Sequence, residues 1–363
     1  LEKIENANID IILEIKNINP KYVNQINILG NTRTKEKVIR REIPFAEGDS
    51  INNDLVRKTN RNISKLGFFK SVNIKEVKNE DFFDLDIEVE ESSTGQFNFG
   101  VSFDSYNGAS IISGLQEKNI FGDGRNLDLT LNTSDNKNQY RFGIVEPYIF
   151  NKKIDLIYDL GFQENDYAKS SSYKLETLSS SVGLRYLLTD QINHTVSFEY
   201  ALKDYKITNT STASNSILSS SGANMSYLIK NNFRHSTLNP GFISRSGNFI
   251  NFNNTIETPT SSSNGFVRNI LTYKKYHSLN NNIFSIQTKF GNIFLLNNND
   301  ILTDDKFALG GRWLRGFDNY GAGPRNSRTS YVGGNNILAL KLDFSKPISL
   351  NEQNPIYFNL FND

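Results

Sequence analysis

The sequence predicts a small α+β module followed by an antiparallel transmembrane β-barrel. Three observations carry this reading. Residues 21–91 run strand, helix, helix, strand, strand, with apolar residues at helical spacing in the middle and in alternation at both ends. From Gly95 onward helix signals disappear, and stretches of alternating sequence recur between clusters of Asn, Ser, Gly and Asp. No apolar run approaches the ~18 to 20 residues of a membrane helix. A barrel escapes that test, because only every other residue faces lipid and mean hydropathy stays low.

Taken in order, Asn8 to Ile15 repeats the pattern of Phe82 to Val89, so residues 1–20 read as the last strand of a preceding copy of the module. No signal peptide opens the chain, and Leu1 falls in mid-element, as in a fragment. The module itself occupies 21–92. Val23, Ile26 and Ile28 form a strand ending at Gly30-Asn31; Thr34 is placed to cap a helix over Lys35 to Glu42, which Pro44 stops. A second helix runs from about Asn53 to Lys65, with Leu55, Val56, Ile63 and Leu66 near one face and Gly67 as its stop. Val72, Ile74 and Val77, then Leu85, Ile87 and Val89, alternate as two closing strands.

Residues 93–363 hold about thirteen strands, among them those of Leu127 to Leu131, Val182 to Leu188, Val196 to Leu202 and Phe284 to Phe294. Each is near the ~9 to 11 residues that cross a bilayer at a tilt. The 26 Phe and 16 Tyr suit strands and interfacial girdles. A soluble sandwich would show a shift of pattern between two sheets, and none is found.

Other function classes are excluded or unsupported. With no cysteine there is no disulfide framework, thiolate nucleophile or Cys-based metal site. A net charge of +1 argues against nucleic acid as a partner. His194, His235 and His277 are far apart and lack the spacing of a zinc pair; no nucleophile elbow occurs, and the glycines of Gly122-Asp-Gly124 and Gly321-Ala-Gly323 precede no helix. The expectation is a protein that is not an enzyme, with no catalytic residue, metal or cofactor.

One stretch breaks the alternation completely. Leu309 to Arg325, LGGRWLRGFDNYGAGPR, carries five glycines around Arg312, Trp313, Arg315, Phe317 and Arg325. Glycine opens positive φ, so such a loop can hold large side chains in fixed places. With its flanks, 297–332, it is the longest connection in the strand region, where long loops tend to carry function. Further on, Leu338, Leu340, Leu342 and Phe344 share one strand face, which turns Asp343 to the other; the same alternation over Ile356 to Leu360 turns Phe361 and Asp363 inward.

These stretches also resemble a known family. LRGF at Leu314 to Phe317 resembles the signature of the inserted loop in the BamA-type outer-membrane assembly factors, a POTRA plus β-barrel insertase superfamily. Ile26 to Gly48 is similar to the family's last periplasmic POTRA module, and Leu66 to Val72 to the same module further on. Thr94 to Gly100 is similar to its first barrel strand, and Asn119 to Gly124 to the turn after the second. The resemblance covers nearly the whole chain.

It implies sixteen strands, about thirteen of them present here, and an outer-membrane protein insertase with its POTRA domain in the periplasm. The partners implied are unfolded outer-membrane proteins, accessory lipoproteins and the bilayer. Residue by residue, it implies a loop tether of Arg315, Gly316 and Phe317 with the lumenal carboxylates Asp343 and Asp363, Phe317 wedging against the inner wall. A lateral seam falls at Gly95, Phe97, Phe99 and Gly100, and a lipoprotein-docking turn at Glu47 and Gly48. The alternatives are a two-partner-type secretion pore of the same superfamily and a porin or adhesin barrel.

Overall fold

The computed structural model describes residues 21–79, 82–104, 108–189, 191–239, 244–260, 264–297, 301–318, 321–325, 331–349 and 356–363, with the backbone alone of 2–5 and 8–11. Their contacts separate two units: Leu1–Thr94 together with Lys118–Gly124, and Gly95–Glu117 together with Arg125–Asp363.

In the first unit, β1 (Glu2–Glu5) and β2 (Asn8–Ile11) pair as an antiparallel hairpin, so the strand expected at Asn8 has a partner upstream; its continuation past Ile11 lies outside the described residues. The module follows as β3 (Lys21–Leu29), α1 (Glu36–Arg40), β4 (Ser50–Ile51), α2 (Asn53–Lys65), β5 (Phe69–Asn79) and β6 (Phe82–Glu91). The sheet order is β4-β3-β6-β5, with β3 parallel to β6 and the other neighbours antiparallel. Val23, Ile26, Ile39, Ile63, Leu85 and Ile87 make the core. Each such side chain contributes roughly 1.5–3 kcal/mol by burial.

The second helix begins and ends where the sequence places it, because its signals are local. Asn52 Oδ1 accepts the Leu55 amide at 2.9 Å, and Gly67 takes φ +70° just beyond the last turn. The first helix differs. Lys35, not Thr34, precedes it, without a side-chain cap. Thr34 is instead buried: its amide donates to Glu91 at 2.6 Å and its hydroxyl accepts from Asn119 at 2.8 Å.

Glu91 organises this corner. Its carboxylate also accepts from the Thr32 hydroxyl at 2.8 Å and the Arg33 amide at 3.0 Å. Gly30, at φ +88°, lets the chain pass so close to β6 that a Cβ would lie 2.1 Å from the Val89 carbonyl oxygen. The segment ILGNTRT is thus a tight exit from β3 clamped by one acid.

The second unit is a thirteen-stranded antiparallel meander in which every strand pairs with its sequence neighbours. The strands are β7 (Gly95–Asp104), β8 (Gly108–Ile120), β9 (Arg125–Ser134), β10 (Lys137–Glu146), β11 (Ile154–Asp166), β12 (Tyr173–Thr189) and β13 (Ile192–Ile207). They continue as β14 (Gly222–Ser236), β15 (Gly247–Glu257), β16 (Phe266–Leu279), β17 (Asn282–Leu295), β18 (Asn336–Ser349) and β19 (Ile356–Asn362). Two short helices, α3 (Ala168–Ser171) and α4 (Asn215–Ser219), interrupt the all-strand expectation. Ile217 of α4 packs with Tyr173, Leu175 and Tyr205, and a single turn is too short to show periodicity.

The faces are sorted as a membrane barrel requires. Phe198, Tyr227, Ile229, Leu271, Phe284, Phe290, Leu338 and Leu340 are exposed on one face. Lys203, Asn224, Ser226, Thr255, Glu257 and Lys341, at the alternate positions, are buried on the other. Sheet polarity is therefore inverted relative to a soluble protein: apolar outside, polar inside. No helix among the described residues is long and apolar enough to cross a membrane.

Candidate functional site: a loop tied to the inner face of the sheet

The connection between β17 and β18 spans Leu296–Asn335, a little wider than the expected 297–332. Its start is anchored by packing and by charge. Ile301 and Phe307 join Phe266, Ile293 and Ile337 in a small core on the inner face. Lys203 Nζ, only 8% exposed, donates to both Asp305 oxygens at 2.9 and 2.8 Å and lies 3.3 Å from Asp304. Arg268 donates to the Asp305 carbonyl at 3.0 Å. Burial and the neighbouring Asp305 carboxylate push Asp304 above its ordinary range. The two limbs of the loop are joined by paired backbone bonds between Phe307 and Gly334 at 2.8 and 3.0 Å.

The tip is held by Arg315. Its Nη1 lies 2.6 Å from Asp343 Oδ1; its Nε donates to Asp363 Oδ2 at 2.8 Å, and Nη2 bonds Asp363 Oδ1. The Arg315 amide adds a bond to Asp363 Oδ2 at 2.8 Å. The guanidinium also stacks on Phe361, with its carbon 3.8 Å from the ring centre. This is the planar fork matched to carboxylates that a lysine cannot reproduce. Ser285 donates to Asp343 at 3.3 Å from β17, which holds that carboxylate in place. Asp343 belongs to β18, and Asp363 follows β19, with Asp343 opposite Phe361 in the register. One arginine therefore bridges β18, the end of β19 and the loop.

Gly316 follows at φ +87°, the left-handed turn expected beside the arginine. Phe317 departs from expectation: it is 52% exposed instead of wedged against the wall. The aromatic that lies against the inner face is Trp313, with Lys289 Nζ 5.5 Å over its ring, and Lys341 Nζ donates to the Arg312 carbonyl at 2.8 Å.

The other expected site residues do not join this cluster. Gly95, Phe97, Phe99 and Gly100 lie on β7, the strand at the opposite end of the sheet order from β19. Phe97 and Phe99 are exposed, and one edge of β7 pairs with no described strand. Glu47 and Gly48 sit in the turn before β4, where Glu47 accepts from Arg40 at 3.0 Å and from the Ile26 amide at 3.4 Å. The Arg40 hydrogen bond holds the Glu47 carboxyl below its usual range. No metal-binding group of three or more acidic or histidine side chains occurs among the described residues.

Sequence reasoning missed the loop root. Lys203 follows the alternating stretch Val196 to Leu202 at an inward position of β13, and Asp304-Asp305 lie in the first limb of the loop, so the charges were visible. Their pairing across 102 positions was not.

Comparison with known proteins fits this geometry. The Omp85 superfamily domain matches residues 119–363, and the POTRA description, surface antigen variable number repeat, matches 21–92. The outer membrane protein assembly factor BamA of Nitratidesulfovibrio vulgaris is 24% identical over 93% of this chain and 43% of its own length. That of Neorickettsia risticii is 26% identical over 92% and 45%. The chain thus spans less than half the length of these relatives. Among solved structures, BamA from Haemophilus ducreyi lacking POTRA domains 1–3 superposes with a TM-score of 0.79 at 20% identity, over 91% of this chain and 68% of that one. CdiB from Acinetobacter baumannii gives 0.55 at 13% identity, over 90% and 60%. With the superfamily domain matching more than half of its residues, and a POTRA module ahead of an inverted-polarity antiparallel sheet, this chain belongs to the Omp85 superfamily.

Proposed function

We propose that this chain is part of an outer-membrane protein insertase, which receives unfolded β-barrel proteins in the periplasm and assembles them into the outer membrane. The observation that carries the proposal is the Arg315 fork on Asp343 and Asp363, which ties the inserted loop to β18 and β19 of an apolar-outside sheet. The reading is supported by relatives named as assembly factors.

The mechanism proposed is strand templating, not enzymatic chemistry. In the POTRA module β5 is an edge strand, and its free N–H and C=O groups can add a strand of an incoming chain. In the sheet, β7 is proposed as one side of the lateral seam, weakened by Gly95 and Gly100, where a substrate strand can pair and enter the bilayer. Local thinning of the bilayer beside a short seam lowers the barrier to entry. The turn at Glu47 and Gly48 is proposed as the docking point of an accessory lipoprotein, and the module is placed in the periplasm.

A second reading is a secretion pore of the same superfamily that passes one partner through its interior, since the BamA and CdiB folds both superpose on this chain. Full-length protein reconstituted in lipid vesicles separates the two. The insertase reading expects faster folding of an added, urea-unfolded outer-membrane barrel, followed by heat-modifiable gel migration. It also expects a cysteine placed at Val101 of β7 to crosslink to that substrate, with the same protein unsubstituted at Val101 as the control. Folding no faster than in empty vesicles would overturn it.

A further inference from the structure

The inner face beside the loop tip gathers positive charge that the tether does not use. A cavity of about 160 Å³ lies there, lined by Lys274 of β16, Lys341 of β18, Arg312 and Trp313 of the loop, and the amides of Asn251 and Gln287. It is well above the ~10–15 Å³ that one water requires. No acidic residue lines it. Among the described residues neither Lys274 nor Arg312 has a carboxylate partner, while the nearby carboxylates Asp343 and Asp363 are engaged by Arg315. Lys341 reaches the loop backbone at Arg312, which brings its ammonium and the Arg312 main chain to one point.

Like charges gathered in a partly enclosed space repel, and a bound anion relieves that repulsion. The donors present are two ammonium groups, one guanidinium and the amide of Asn251, with the Gln287 amide shared with Asp343 at 3.5 Å, all suited to oxygen acceptors. We propose that this cavity binds a small oxyanion of the phosphate class, and that its occupancy holds the loop tip against β16 and β18. The cavity is on the polar inner face, away from the apolar face where lipid lies, so the ligand is a free ion and not a lipid headgroup. Because Arg312 and Arg315 belong to one short segment, the anion and the tether stabilise each other: an ion that binds the seated loop shifts the population toward it, and a broken tether weakens ion binding. The inference goes beyond the assembly reading and does not depend on it, since binding is read without any substrate protein.

The test is a titration of detergent-solubilised full-length protein with inorganic phosphate at low, constant ionic strength. Trp313 lines the cavity, so the emission difference between the protein and its Trp313→Phe variant reports occupancy. The expected result is a saturable change that chloride does not reproduce, with affinity weakened tenfold or more in Lys274→Gln and in Arg312→Gln and retained in Lys274→Arg. Circular dichroism checks that each variant remains folded, and ³¹P line broadening by unsubstituted protein gives a readout that needs no variant. Phosphate that neither broadens nor saturates, chloride that acts equally well, or a Lys274→Gln, Arg312→Gln double variant that binds as before would overturn the proposal.

Discussion

Arg315 divides its bonds unequally, and that division predicts a ranking. Asp363, 4% exposed, accepts from the arginine amide, Nε and Nη2, whereas Asp343 receives only Nη1. Asp363→Asn should therefore loosen the loop more than Asp343→Asn, with Arg315→Ala at least as severe as either. Partly hydrated surroundings put the loss at about 1–3 kcal/mol, below the value for a fully buried pair. Limited proteolysis of the 309–325 segment in otherwise folded protein reads the order, and equal cleavage of the two asparagine variants would contradict it. Arg315→Lys should behave more like alanine than like arginine, because one ammonium cannot serve two carboxylates in this geometry.

Glu91 makes a second prediction at this scale. Burial alone would raise its carboxyl, but the Thr34, Thr32 and Arg33 hydrogen bonds prevail and bring it to about 2. A folded value below the unfolded one gives stability that is complete above about pH 4.5 and is lost as pH falls toward 2. The side chain is only 7% exposed, so the contribution is on the order of 3 kcal/mol. Urea unfolding of the 21–92 module, which has its own core, should show that acid-sensitive increment, and Glu91→Gln should abolish it. An unchanged pH profile in Glu91→Gln would remove Glu91 as the cause.

Among the elements, the root of the loop is expected to be firmer than its tip. Lys203 and Asp305 are both buried, and removing one partner of such a pair typically costs ~3–5 kcal/mol. Lys203→Ala should thus lower the temperature of heat-modifiable unfolding further than Arg315→Ala, while Asp305→Asn, which keeps the shape, should fall between them. The reverse order would place the main anchor at the tip.

This contrast also marks what the sequence makes legible. The alternation of Leu338 to Phe344 orients Asp343, and the cap and stop residues bound α2, because both depend on neighbours a few positions away. Gly67 and the helix limits at Asn53 and Lys65 were readable for that reason, whereas the Asn52 cap went unread. Thr34 looked like a cap, yet a carboxylate 57 positions away claims its amide. Phe317 looked like a wedge, but the loop path turns Trp313 inward in its place. Pairings across the sheet, Lys203 with Asp305 foremost, follow from closure of the fold and leave no local pattern.

For the whole molecule, the assembly proposal rests on three surfaces: the POTRA edge at β5, the seam strand β7, and an inner loop tied to β18 and β19. If the module is periplasmic, connections after odd-numbered strands of the thirteen emerge outside, so the loop after β17 begins on the extracellular side and folds back inward. If the assembly proposal holds, this seated loop is needed for assembly and not merely for a stable barrel. The most direct measurement compares full-length protein with its Arg315→Ala and Arg315→Lys variants in vesicles, each shown to be folded by heat-modifiable migration, and records the rate at which a urea-unfolded outer-membrane barrel folds. The expected result is a rate reduced several-fold or more in both variants, with their own barrels intact. Variants that assemble substrate at the unsubstituted rate, with the loop demonstrably released, would contradict it.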